Sequence, residues 1–245
     1  FFTLLATYWQ PHERAIYLNT ETRGFAFEDL DIHCPRVELK LSRHLPWGAR
    51  LLRCLDSISY DIVLYLQEDY FLKDTVDVAM IDYLTELMER DGIAHISLAQ
   101  HVRAGRKSAY RFLSQIDAQA DYLVSAQAGL WKVGALRSYV RRHENVWEFE
   151  WHGTKRAKRR GDAFFFVNQE YVETHGKEVF PYDVTGIVHG RWVRDIVEEL
   201  FEAHDIKVDY SVRGFFDWND DDWTRGPLLR SCLLYTSPSP RDRQK

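Results

Sequence analysis

The chain has 245 residues, 45% hydrophobic and 28% charged, a balance that predicts a globular α/β domain with a substantial core. Its formal charge of −5 gives no reason to expect nucleic acid as a partner. Its three cysteines, Cys34, Cys54 and Cys232, form no Cys-x-x-Cys pair, which excludes a disulfide scaffold and fits a reducing cytosol. No apolar run approaches the ~20 residues of a membrane span, and the opening residues carry no signal-peptide pattern.

Phe1 to Trp9 reads as the end of a helix stopped by Pro11. Because Phe1 falls in mid-helix without a methionine, the chain is expected to be a fragment lacking its natural start. Ala15 to Leu18 is a strand candidate, followed by the polar Asn19-Thr20-Glu21-Thr22. Residues 23–46 are irregular, with a strand expected at Val37 to Leu41. A helix fits Trp47, Leu51, Leu52, Leu55 and Ile58, which share one face.

The stretch Tyr60-Asp61-Ile62-Val63-Leu64-Tyr65-Leu66 predicts a strand buried on both faces, in the middle of a sheet. It runs into Gln67-Glu68-Asp69 and becomes apolar again. Acids beyond the carboxyl end of a central strand can hold a divalent cation, and the cation a diphosphate. The alternative is a solvated acidic turn.

Val76, Ala79, Met80, Tyr83, Leu84, Leu87 and Met88 predict a helix capped by Asp74 or Thr75 and ended by Gly92. Ile93 to Leu98 reads as a strand. Among His101, Arg103, Arg106, Lys107 and Arg111, most are expected in solvent, with one or two able to face a diphosphate. Ala126 to Trp131 is apolar and precedes a helix over Val133 to Arg142. In Trp147-Glu148-Phe149-Glu150-Trp151, a strand or extended segment would place both glutamates on one face and the three aromatics on the other. On a helix the glutamates would diverge. Gly153 would let the chain bend.

The basic run Lys155 to Arg160 reads as a solvated loop, or as a contact for a lipid diphosphate or an anionic membrane surface. Phe164 to Val167 is expected to be a core strand. Ile187 to Trp192 leads into a helix over Val193 to Phe201, and Ile206, Val208, Tyr210 and Val212 alternate like a short strand. The acidic run from Asp217 to Asp222 is expected to be exposed. Residues 231–245 resemble a translated sequencing adapter or a disordered tail, outside a single domain over 1–230.

Two motifs in order carry a family resemblance: a strand ending in Gln67-Glu68-Asp69, and the Trp-and-acid cluster over 147–151. Together they resemble the nucleotide-diphosphosugar glycosyltransferases of the GT-A fold, over roughly residues 1–215. The usual Asp-x-Asp signature departs here to Gln67-Glu68-Asp69. The resemblance implies a Rossmann-like mixed sheet flanked by helices. It implies a cation, Mn or Mg, on Asp69 with Glu68 as second ligand and His189 as a third. Thr20 and Glu21 would line the nucleotide pocket, Glu150 would be the catalytic base and Glu148 would contact the acceptor. The expected partners are a sugar-nucleotide donor and a saccharide or lipid-linked saccharide acceptor, in surface polysaccharide synthesis. The setting would be cytoplasmic, with peripheral contact at the inner face of the membrane. The rival readings are a sugar nucleotidyltransferase and a non-catalytic carbohydrate-binding module. The 14% aromatic content suits sugar stacking but mainly reflects an aromatic core.

Overall fold

The structure, a computed structural model, describes residues 1–9, 14–20, 23–40, 45–99, 105–183 and 185–217. In chain order the elements begin with α1 (Phe2–Tyr8), β1 (Ile16–Tyr17), β2 (Ile32–His33), α2 (Pro35–Glu38), α3 (Trp47–Asp56), β3 (Ile62–Tyr65), α4 (Val78–Asp91) and β4 (His95–Ser97). Next come β5 (Gly105–Lys107), β6 (Leu113–Ile116), β7 (Gly129–Lys132), α5 (Val133–Tyr139), α6 (Val146–Arg160), β8 (Phe164–Val167) and α7 (Gln169–His175). The last are β9 (Ile187–Val188), β10 (Arg191–Trp192), α8 (Arg194–Ala203) and a 3-10 turn over Tyr210–Val212. They fold as two compact units interleaved along the chain. A sheet unit takes Pro11–Leu66 and Val76–Phe180, and a smaller hairpin unit takes the segments from Phe1, from Gln67 to Thr75 and from Pro181.

The sheet unit is mixed α/β. Among the described residues its six-stranded sheet has the order β3-β7-β4-β8-β6-β5, flanked by helices. β4 and β8 pair in parallel, His95 opposite Phe164, while the other pairs are antiparallel. β3, β4, β5 and β8 therefore point one way and β6 and β7 the other. β4 and most of β7 and β8 are buried, as their apolar runs require. Phe164 to Val167 is a core strand as expected. Trp131, Tyr139, Phe149 and Phe164 fill the core beside Leu51, Leu55 and Leu136.

Four local expectations change. β3 is not a mid-sheet strand: among the described residues it pairs only with β7, and all its residues are half-buried. A four-residue apolar run reads the same at an edge when one face is covered, and Val63 and Tyr65 pack on the core. Residues 35–38 form a helix instead of a strand, because Pro35 suits a first helical position and Glu38 accepts the Cys34 amide at 3.0 Å. α4 starts one turn later than expected. Asp77 caps it by accepting from Met80 N at 2.9 Å, whereas Asp74 turns to its neighbour Thr75. The alternating residues 206–212 end in a 3-10 turn because Asp209 accepts from the amide and hydroxyl of Ser211.

In the hairpin unit β9 and β10 pair antiparallel across a turn at His189 and Gly190. Both turn residues have positive φ, 50° and 76°, as a two-residue hairpin demands. Phe71, Trp192 and Phe201 meet as an aromatic core, with Phe71 and Phe201 edge to face at 5.0 Å. Among the described residues, no helix is long and apolar enough to cross a membrane.

Candidate functional site

Asp69 lies in a turn of the hairpin unit closed by Tyr70 N donating to Gln67 O at 3.2 Å. Its side chain is only 8% exposed. The backbone fastens it, since Gly186 donates to Asp69 O at 2.9 Å and Val193 donates to Gly186 O at 3.0 Å. Gly186 is required there because a Cβ would stand 2.2 Å from the Phe71 ring. The Thr185 hydroxyl lies 2.9 Å from Asp69 Oδ2 and 2.8 Å from Ile187 O. One hydroxyl proton cannot serve both. Donated to Asp69 it favours the carboxylate, and donated to Ile187 O it withdraws that support. Burial, helped by the charge of Glu68, pushes the carboxyl up to about 7, while the Thr185 hydrogen bond and Arg213 oppose the shift. Asp69 Oδ1 is buried with no hydrogen-bond partner among the described residues.

That orphaned oxygen fits one ligand position of a cation. Glu68 is exposed beside it in the same turn. His189 is exposed in the hairpin turn, edge to face with Phe216 at 5.9 Å. The structure does not join it to Asp69 and Glu68: among the described residues, no three His, Cys, Asp or Glu side chains form a metal-holding group. The set suits a Mg²⁺ or Mn²⁺ that keeps its water and phosphate ligands, and does not suit an all-protein cage.

In the sheet unit, Thr20 follows the carboxyl end of β1, which pairs in parallel with β2. Its carbonyl accepts from Arg36 Nη1 at 3.1 Å. Asn19 Oδ1 and Thr20 Oγ1 are buried atoms with no hydrogen-bond partner among the described residues. Glu21 lies outside the described residues, as do His101 and Arg103. Arg106 donates to Gln115 and Arg111 packs over Phe112, so neither is held for a diphosphate.

The two glutamates of the Trp-and-acid cluster do not share a face. Both sit in α6, where residues two apart diverge by roughly 200°. Glu148 closes a capping box: it accepts from Asn145 N at 2.9 Å while Asn145 accepts from Glu148 N at 2.9 Å. Glu150 turns inward, 2% exposed, and accepts the Ala126 amide at 2.7 Å. One turn on, Thr154 accepts the Val124 amide at 3.1 Å. The match is geometric, because two residues of extended chain span ~6.6 Å and four of helix ~6 Å. Gly153 makes no bend. It lies mid-helix, where a Cβ would meet Val124 at 3.0 Å, so it sets how closely α6 approaches that segment.

The basic run is the end of α6, where positive charge complements the helix dipole. Arg156 forms a forked pair with the buried Glu144, both contacts at 2.7 Å. Lys158 donates to Gln119 O and Arg160 pairs with Asp162. The Asn145-x-x-Glu148 spacing was the available signal that this stretch is helical. Nothing in the sequence marked Thr185 or the Glu144–Arg156 pair.

Glu150, Trp151, Thr154, Lys155 and Lys158 line a surface pocket with Asp121 and Tyr122. Asp121 and the Trp151 indole are exposed there and the Lys155 ammonium lies over the indole, while the Glu150 carboxylate and the Thr154 hydroxyl are buried on the amides of Ala126 and Val124. Together these features define a mixed α/β protein with a buried acidic turn in one unit and an acid-and-aromatic pocket in the other. Comparison of the chain with protein-family models, curated proteins and solved structures finds no match.

Proposed function

We propose that the chain is a glycosyltransferase of GT-A type, moving a sugar from a nucleotide-diphosphosugar to a hydroxyl acceptor. The observation that carries this reading is Asp69, a buried carboxyl with an orphaned oxygen, four residues beyond a strand of a mixed sheet. Asp69 with Glu68 would hold Mg²⁺ or Mn²⁺, and the cation would neutralise charge on the departing nucleoside diphosphate. Thr20, with Glu21, would line the nucleotide. Glu150 would take the acceptor's hydroxyl proton as that oxygen attacks the anomeric carbon. Glu148 has no part in this, since its carboxylate caps α6. Surface polysaccharide synthesis on the cytoplasmic side of the membrane is the setting that suits this reaction.

A sugar nucleotidyltransferase and a non-catalytic sugar-binding module are the rivals. The test is incubation with UDP-, GDP- and TDP-sugars and either cation. Release of nucleoside diphosphate supports the proposal. Pyrophosphate formed from a nucleoside triphosphate and a sugar phosphate indicates the nucleotidyltransferase. Sugar binding without either product indicates the module.

A further inference from the structure

We infer that Cys34 and Cys54 are a redox-modification site, a thiol pair that a peroxide closes into a reversible disulfide between the head of α2 and α3. Both cysteines are free, and they are only 5% and 4% exposed. Cys34 caps the start of α2, and Cys54 lies on the buried face of α3 with Leu51 and Leu55. The two helices pack on each other. Glu38 locates the second thiol. Its carboxylate accepts the Cys34 amide at 3.0 Å, so it stands at the head of α2, and the Cys54 thiol feels the charges of both Cys34 and Glu38. Cys54 therefore lies against the turn that Cys34 begins. Packing alone asks only for a small apolar group at each position. Two thiols brought together across a helix contact add a chemistry.

The order of events follows from burial. Burial pushes the Cys54 thiol up to about 11, with Cys34 and Glu38 adding to the shift, so Cys54 stays protonated near neutral pH. The thiolate is the nucleophile, and Cys34 therefore reacts first. α2 is a single helical turn that ends at the exposed Leu39. So short a turn opens more often than the whole unit unfolds, and each opening admits a peroxide. The Cys34 thiolate attacks one peroxide oxygen, the O–O bond breaks, and the other oxygen leaves with a proton as water. A sulfenic acid remains on Cys34. The Cys54 sulfur then attacks the sulfenic sulfur, the S–O bond breaks, and the hydroxyl leaves as water with the Cys54 proton. The two sulfurs give up two electrons, and the peroxide takes them to become two waters. A thiol reductant reverses the bond by exchange. In a reducing compartment such a bond is transient and registers oxidant. α2 also carries Arg36, which donates to Thr20 O at 3.1 Å, so a bond that pins α2 pins the end of β1 too. None of this rests on the glycosyltransferase reading.

The experiment treats the folded Cys232→Ser protein with hydrogen peroxide, alkylates the remaining thiols in denaturant and maps the peptides by mass spectrometry. The expected result is a peptide linking Cys34 to Cys54, with both thiols recovered by dithiothreitol. The linked form should melt about 5 °C higher, because the bond restricts the unfolded chain. Cys54→Ser should stop at a Cys34 sulfenic acid that dimedone traps, and Cys34→Ser should leave Cys54 a thiol. The site is overturned if both thiols survive peroxide in the folded protein, if either goes on to sulfinic acid without a linked peptide, or if the link forms only in denaturant. It is also overturned if the linked form melts no higher, or if Cys34→Ser is the variant that dimedone labels. Should a serine variant fail to melt cooperatively, the linked peptide in the Cys232→Ser protein decides alone.

Discussion

The Thr185 hydroxyl and the Asp69 carboxyl meet at 2.9 Å across 116 residues of chain. Burial makes a charge on that carboxyl costly, and the Thr185 hydroxyl, which also lies 2.8 Å from Ile187 O, offsets only part of the cost. Asp69 thus couples proton uptake to the folded state.

The sign follows from the two titrations. An unfolded aspartate titrates at 3.8, and burial pushes the folded group up to about 7. Between those values the folded protein holds a proton the unfolded chain lacks, so stability is full below the lower value and falls as pH rises through the upper. The loss is on the order of 4 kcal/mol. Asp69→Asn is neutral throughout, as the protonated acid is, and its amide oxygen can still accept from Thr185. Its melting temperature should exceed the parent's at about pH 8, with the gap shrinking toward about pH 5. Parallel melting curves across that range would remove the buried proton. On the glycosyltransferase reading the same variant loses cation-dependent donor binding, which calorimetry measures.

Glu150 separates fastening from proton transfer. Glu150→Gln keeps an oxygen for the Ala126 amide, so folding should be intact; on the glycosyltransferase reading transfer should fall by ~10²–10⁴-fold. Glu150→Ala also strands that amide and should cost a further ~1–3 kcal/mol of stability. Near-normal transfer in the Gln variant would leave Glu150 as a structural bond only.

Glu144 and Arg156 form a buried pair, with Glu144 2% exposed. Removing one partner leaves the other charge uncompensated, so Arg156→Ala should cost ~3–5 kcal/mol in urea unfolding. Lys155→Ala, next in sequence but exposed, should stay within ~0.5 kcal/mol. Equal effects would mean that the pair contributes nothing.

Gly48 in α3 is fixed by contact and not by conformation. A Cβ there would lie 1.9 Å from Arg141 O, and Gly48 N donates to Glu144 O at 2.9 Å. Gly48→Ala should destabilise by ~1–3 kcal/mol although alanine is the better helix former. Unchanged stability would show that the 141–144 turn yields freely.

Long periodic runs announced themselves in the sequence. The stripe from Met80 to Met88 and the glycine at 92 give α4, and the apolar Phe164 to Val167 gives β8. Short segments did not, because the deciding forces were local side-chain bonds. Pro35 with Glu38, and Asp209 with Ser211, each turned an alternating pattern into a helical turn. The position of β3 depends on what covers its faces, which four apolar residues do not encode. The candidate site divides the same way. Asp69 stands out as an acid at a strand's end, but its partner Thr185 is distant in sequence, and pairing by side chain leaves no period to find.

Two residues shortly before β7 are fastened by side chains of a helix, Ala126 on Glu150 and Val124 on Thr154. That ties their kinetics to the helix. The amides of Val124 and Ala126 are released to solvent only when the middle of α6 moves away or unwinds, so their hydrogen-exchange free energies should equal each other and that of α6. A helix and the lead-in to a strand, 20 or more residues apart, would then open and close as a single cooperative unit.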